Sequence, residues 1–216
     1  MKNYVITMRS NAMSVGAAGR CVTSGRNNKM KIDMFNAVTP SDDPVEMAES
    51  LGINIDGFYD DQFYSRYENC IAAFMSHFSL WSMCLEQQEE FTIFEHDAII
   101  VNHIPPHIPY KEVISIGKPS YGGHIDLKSF GVNPLTSKRY FPGAHAYRLR
   151  PAGAKKLIDQ AKICAKPTDV YLNLDTFPNL QEYYPWPVEA KDTFTTIQKR
   201  QGCLAKHNYN ETYKIV

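Results

Sequence analysis

Hydrophobic and polar positions follow two rhythms along this chain. Residues 3–8 (NYVITM) gather β-branched and aromatic side chains into a short run, as a strand does. Residues 34–38 (MFNAV) read as a second short strand, stopped by Thr39 and Pro40. Between them, residues 12–25 (AMSVGAAGRCVTSG) are small and glycine-containing, which predicts a loop leading into a weak helix. The rhythm then changes. Apolar residues at 70, 71, 74, 75, 78, 81, 84 and 85 recur every three or four positions, which predicts an amphipathic helix over 69–87. FTIF (91–94) and VISI (113–116) return to strand character, and Pro151 opens a helix to about Cys164, at a first turn where its missing N–H costs nothing. Strands alternating with helices predict an α/β fold with a largely parallel central sheet flanked by helices, in one domain over 1–216. In such sheets the ligand lies beyond the carboxyl ends of the strands.

Composition changes this picture little. The chain is 44% hydrophobic and 21% charged, as soluble globular proteins are. The apolar run after Lys2 is too short for a signal peptide, and no run reaches bilayer length, so no transmembrane segment is expected and at most peripheral membrane contact. Five cysteines form no CxxC pair and are read as reduced, which implies a cytoplasmic protein. Charge is more informative. The net charge is zero, yet residues 40–97 carry thirteen acidic side chains against Arg66 alone, and residues 128–166 carry nine basic ones against Asp159 alone. Either these are two solvated faces of opposite sign, or the basic segment meets an anionic ligand such as phosphate.

Candidate chemistry gathers where the FTIF strand ends, at Glu95-His96-Asp97. On an extended backbone, carboxylates two residues apart point the same way and repel unless something positive sits between them. A hard divalent cation fits, since Mg²⁺ or Mn²⁺ takes one or two carboxylates plus phosphate oxygens. Exposed turn carboxylates would look the same in sequence.

Further blocks carry a resemblance. FNAVTP (35–40), NCIAAFMSHFSLWSMCLE (69–86) with Ser76, His77 and Trp81, FTIFEHDA (91–98), GAHAYRLRPAGAKKLI (143–158), KPTDVYL (166–172) and DTFTTIQ (192–198) follow one another in order. Together they resemble glycosyltransferase family 25, which includes lipooligosaccharide and collagen galactosyltransferases. The family's Glu-Asp-Asp has His96 as its middle member here, while Glu95 and Asp97 keep the outer positions. Thr7 and Met8 stand where the family has Asn-Leu, and the nearby family arginine corresponds to Arg9 or Arg20.

The resemblance implies a single-domain GT-A fold with a Rossmann-like sheet. It also implies inverting transfer from a UDP-sugar, galactose by family default, with Mn²⁺ or Mg²⁺ as cofactor. Asp97 would be the main metal ligand, and Glu95 would touch the metal or the donor ribose. His207 in the tail would complete the metal site or stand exposed. The donor side would include Thr7, Met8, Arg9 or Arg20, Ser76 and His77, with Gly143 and Tyr147 shaping the sugar pocket. His77 is equally readable as a structural histidine, and Gly143 and Tyr147 as parts of a strand turn. Asp169 is the expected catalytic base, with Asp126 as runner-up, although Asp169 also reads as a helix cap. His96 has three open roles: ligand, donor-sugar contact or turn residue. Gly16 and Gly19 read as packing positions rather than a phosphate cradle. The expected acceptor is a saccharide such as lipooligosaccharide. The alternatives are a hydroxymethylated or glycosylated base in DNA, tracked by the basic segment, and a non-catalytic relative.

Overall fold

The computed structural model describes residues 1–59, 66–127, 129–191, 194–197 and 214–215. In chain order its elements begin with β1 (Lys2–Thr7), α1 (Ala12–Asn27), β2 (Asp33–Asn36), α2 (Pro44–Ser50) and α3 (Tyr67–Gln87). They continue with β3 (Phe91–Phe94), β4 (Ala98–Ile100), β5 (Val113–Ser115), β6 (Gly131–Pro134) and β7 (Ala146–Leu149). Last come α4 (Pro151–Ala161), α5 (Thr168–Tyr171), β8 (Gln181–Tyr184), β9 (Val188–Ala190), β10 (Phe194–Thr195) and β11 (Lys214–Ile215).

Seven strands form one sheet in the order β2-β1-β3-β7-β5-β8-β6. Five run one way, while β7 and β6 oppose their neighbours. The sheet is therefore mixed, with parallel pairing at β2-β1-β3 and at β5-β8. The antiparallel β7 is four residues long (AYRL) and buried on both faces, so it lacks the polar alternation by which a strand is recognised.

Each face of the sheet carries its own core. On one side α3 presents Phe74, Trp81 and Cys84 to Ile93 and Leu149, and α4 adds Ala154 and Leu157. On the other, Ala18 and Cys21 of α1 meet Val5, Phe94 and Ile114. The expected loop at the start of α1 is instead helix from residue 12. Asn11 caps it, its side chain accepting from the Met13 and Ser14 amides at 3.0 and 3.2 Å. Its inward face is Ser14, Ala17, Ala18, Cys21 and Gly25, small residues that let the helix lie close on the sheet but give little hydropathy signal. Gly16 is exposed and a Cβ on Gly19 would meet nothing within 4 Å among the described residues, so neither is the packing position expected from sequence.

Cys21, Cys70 and Cys84 are free and buried, and burial pushes each thiol up to about 12. Among the described residues, no helix is long and apolar enough to cross a membrane.

Candidate functional site

The chain steps from β1 to β2 on one side and later to β3 on the other, so strand order reverses at β1. At such a switch point the loops leave in opposite directions and open a crevice beyond the strand ends. The cleft here lies at that place and encloses about 1210 Å³, its mouth included. Met8 after β1, Ala37 and Val38 after β2, and Glu95, His96 and Asp97 after β3 line it. Asn69, Ser76 and His77 of α3 form one wall, and Tyr121, Gly143, His145 and Asp169 join from the second half of the chain.

Glu95 to Ala98 form a turn, closed by the Ala98 amide donating to the Glu95 carbonyl at 3.1 Å. The extended backbone expected for Glu95 and Asp97 is thus absent, because β3 stops at Phe94 and β4 must begin at Ala98. Both carboxylates still line the cleft. Glu95 Oε1 lies 3.2 Å from His77 Nε2. His77 Nδ1 lies 2.8 Å from the Tyr147 hydroxyl, which accepts from Trp81 Nε1 at 2.8 Å. Desolvation pushes the Glu95 carboxyl up to about 7, with His96 pulling down and Asp169 adding to the rise. Desolvation pulls His77 down to about 3 against the Asp169 charge, so the imidazole is neutral at physiological pH.

His96 sits between two elements. Its ring stacks on Phe194 at 5.1 Å, and Nδ1 lies 3.3 Å from Ser14 Oγ, which accepts from the Met8 amide at 3.0 Å. It therefore ties the β3 turn to the start of α1. Asp169, on the first turn of α5, accepts from the Tyr121 hydroxyl at 2.5 Å through Oδ2 and from its neighbour Val170 N at 2.9 Å through Oδ1.

Other predicted residues lie elsewhere. Thr7 is buried, its hydroxyl donating to the Val5 carbonyl at 3.1 Å, and does not line the cleft. Arg9 and Arg20 are exposed and outside the lining. Ser76 lines the cleft, but its hydroxyl donates to Ala72 O and accepts from Val38 N, both at 2.9 Å, fastening α3 to the segment after β2. Tyr147 is fully buried behind His77 and does not line the cleft. Gly143 does line it, at φ +82°, where a Cβ would fall 2.3 Å from Ser120 Oγ. Asp126 is 80% exposed beside His124 at 3.6 Å and outside the cleft. His207 lies outside the described residues.

Sequence reasoning missed Tyr121 and His145. His145 is buried, and among the described residues neither ring nitrogen makes a hydrogen bond of normal geometry. Gly117 makes room for it, since a Cβ there would stand 2.6 Å from Nε2. Desolvation lowers its pKa, and the charge of Asp97 acts against that shift. Its only sequence signal was its place in GAHAY, a block read through its glycine and tyrosine.

Among the described residues, no three His, Cys, Asp or Glu side chains form a preformed metal cage. A hard divalent cation shared with a diphosphate needs only one or two carboxylates, so Glu95 and Asp97 fit one, with the neutral imidazole of His145 near Asp97 as a further donor.

No curated protein matches the chain. Residues 1–112, from β1 through Glu95 and Asp97 to the segment before β5, match glycosyltransferase family 25 (LPS biosynthesis protein). The match stops before Gly143, His145 and Asp169, which join the cleft through the fold. The chain belongs to glycosyltransferase family 25 and is a glycosyltransferase.

Proposed function

We propose that this glycosyltransferase has a GT-A architecture and inverts configuration. The donor is a UDP-sugar, with galactose the family default, and the acceptor a hydroxyl of a lipooligosaccharide saccharide. The observation that carries the reading is the convergence of Glu95, Asp97 and Asp169 on one cleft at the switch point of the sheet.

Inversion is a single displacement. As the acceptor oxygen bonds to the anomeric carbon, the bond from that carbon to the diphosphate breaks, and the hydroxyl proton must go to a base. Asp169 is that base, held in orientation by Tyr121. Glu95 offers the oxygen not engaged by His77 to the donor ribose or to a cation. Asp97 and Glu95 would hold Mn²⁺ or Mg²⁺, with His145 as a further donor. When bound, that cation neutralises charge on the leaving diphosphate.

The test is UDP release from UDP-galactose and related donors with a lipooligosaccharide acceptor, with and without Mn²⁺. Mn²⁺-dependent release should fall by about 10²–10⁴-fold in Asp169→Asn, as removal of a general base does, and comparably in Asp97→Ala. Asp126→Asn should match wild type, since that residue is outside the cleft. Normal release from Asp169→Asn would remove it as the base, and no release with any UDP-sugar would overturn the donor assignment.

The DNA reading gains no support from the basic segment. Arg148 is fully buried, while Arg139, Arg150, Lys155 and Lys156 each face a carboxylate.

A further inference from the structure

Trp81, Tyr147, His77 and Glu95 form one line of hydrogen bonds running from the core to the cleft, with steps of 2.8, 2.8 and 3.2 Å. Three of the four are fully buried or within 1% of it, and Glu95 opens onto the cleft. We propose that Trp81 and Tyr147 are positioning residues: they lock His77 as its Nε2–H tautomer, so that a neutral imidazole donates to one Glu95 oxygen and leaves the other for the sugar donor or its cation. This rests on the reading of Glu95 as a donor-side carboxylate.

The direction of the line follows from its buried end. An indole N–H only donates, so the Tyr147 oxygen must accept from Trp81. The Tyr147 proton then needs an acceptor, and His77 Nδ1 is the one within reach among the described residues. With Nδ1 accepting, a neutral ring carries its proton on Nε2, facing Glu95. The other tautomer fails at the buried end. Nδ1–H would make the Tyr147 oxygen accept twice and strand its own proton in the core. An imidazolium strands the same hydroxyl proton. Packing holds the geometry in place: His77 stacks on Tyr147 at 5.7 Å, and Trp81 stacks on Tyr171 at 5.7 Å.

The same line explains why an uncharged donor suits this position. A cationic partner would compete with a divalent cation for Glu95, whereas a neutral N–H orients the carboxylate and leaves its charge available.

Ring-¹⁵N NMR of the full-length protein without donor or metal tests this directly, with the His77 signals identified by their loss in His77→Gln. The expected wild-type spectrum has an unprotonated Nδ1 and a protonated Nε2. Tyr147→Phe removes the acceptor requirement at Nδ1 and should give a tautomer mixture. Trp81→Phe, which leaves Tyr147 free to accept from His77, should do the same. Binding supplies the second readout. His77→Gln keeps an amide donor near the Nε2 position and should retain UDP-sugar affinity, while His77→Leu should lose about ten-fold, the worth of one charge-assisted hydrogen bond. A protonated Nδ1 or an imidazolium in the wild type overturns the proposal, as does an unchanged tautomer in both Tyr147→Phe and Trp81→Phe. Because the spectrum is read without donor, this outcome is independent of whether UDP release identifies the reaction. A locked tautomer with equal affinities in His77→Gln and His77→Leu would overturn the functional half alone.

Discussion

Glu95 and His77 are neighbours displaced in opposite directions from their ordinary titration ranges, and stability should record both. The Glu95 carboxyl rises from 4.5 to about 7 in the folded protein. Its contribution to stability is therefore fully present below about 4.5 and lost as pH rises through 7. The imidazole of His77 falls from 6.5 to about 3, so its contribution is present above about 6.5 and lost as pH falls through 3. Between 4.5 and 6.5 the two slopes oppose each other. Glu95→Gln removes one of them. In metal-free urea unfolding the variant should gain about 1–2 kcal/mol between pH 5 and 8, while wild type changes less. Parallel pH profiles for the two proteins would contradict the opposed shifts. The acids of this site were legible because Glu95 and Asp97 are consecutive with a strand end. Tyr121 and His145 were not, because their positions depend on contacts far along the chain. Tyr121, for example, reaches Asp169 across 48 residues.

At the scale of elements, legibility followed the size of the buried side chains. The prediction of α3 came within two residues at its start, because its buried face carries Phe74, Phe78 and Trp81 at helical spacing. The buried face of α1 is as regular, but it is made of serine, alanine, cysteine and glycine, and composition alone reads that as loop. Two glycines of similar appearance should behave oppositely. Gly19 lies inside α1 with nothing within 4 Å of where a Cβ would stand, so Gly19→Ala should raise stability by about 0.5–1 kcal/mol through helix propensity. Gly153 lies in the first turn of α4 against the entry to β5, where a Cβ would fall 2.6 Å from the Glu112 carbonyl oxygen. Backbone cannot give as a side-chain tip does, so Gly153→Ala should cost about 1–3 kcal/mol. Thermal unfolding of the two variants decides it, and shifts of the same sign would show that close approach is not what Gly153 provides.

Over the whole molecule, the basic segment seen in sequence contributes one residue to the interior and pairs four others with carboxylates. The most informative basic residue is Arg148, which contributes nothing to the surface. On β7, Tyr147 and Leu149 point to the α3 core while Ala146 points to the α1 core, so alternation sends Arg148 toward the α1 side. There its Nη1 donates to the Pro106 carbonyl at 3.4 Å, and Nε and Nη2 have no hydrogen-bond partner among the described residues. Desolvation lowers its pKa, with the charge of Glu90 the largest opposing influence. A guanidinium held this way is a cost that the surrounding core absorbs, since long-range attraction and one long hydrogen bond do not replace the water it gave up. Replacing it with an apolar chain of similar length removes the desolvation cost and keeps the packing of its stem. Arg148→Met should therefore be neutral or stabilising by up to about 4 kcal/mol, whereas Arg148→Ala leaves a cavity beneath the 104–110 segment and should destabilise by about 2–5 kcal/mol. Equilibrium unfolding in urea distinguishes them. If Arg148→Met loses as much as Arg148→Ala, the buried charge holds the second face of the sheet together rather than weighing on it.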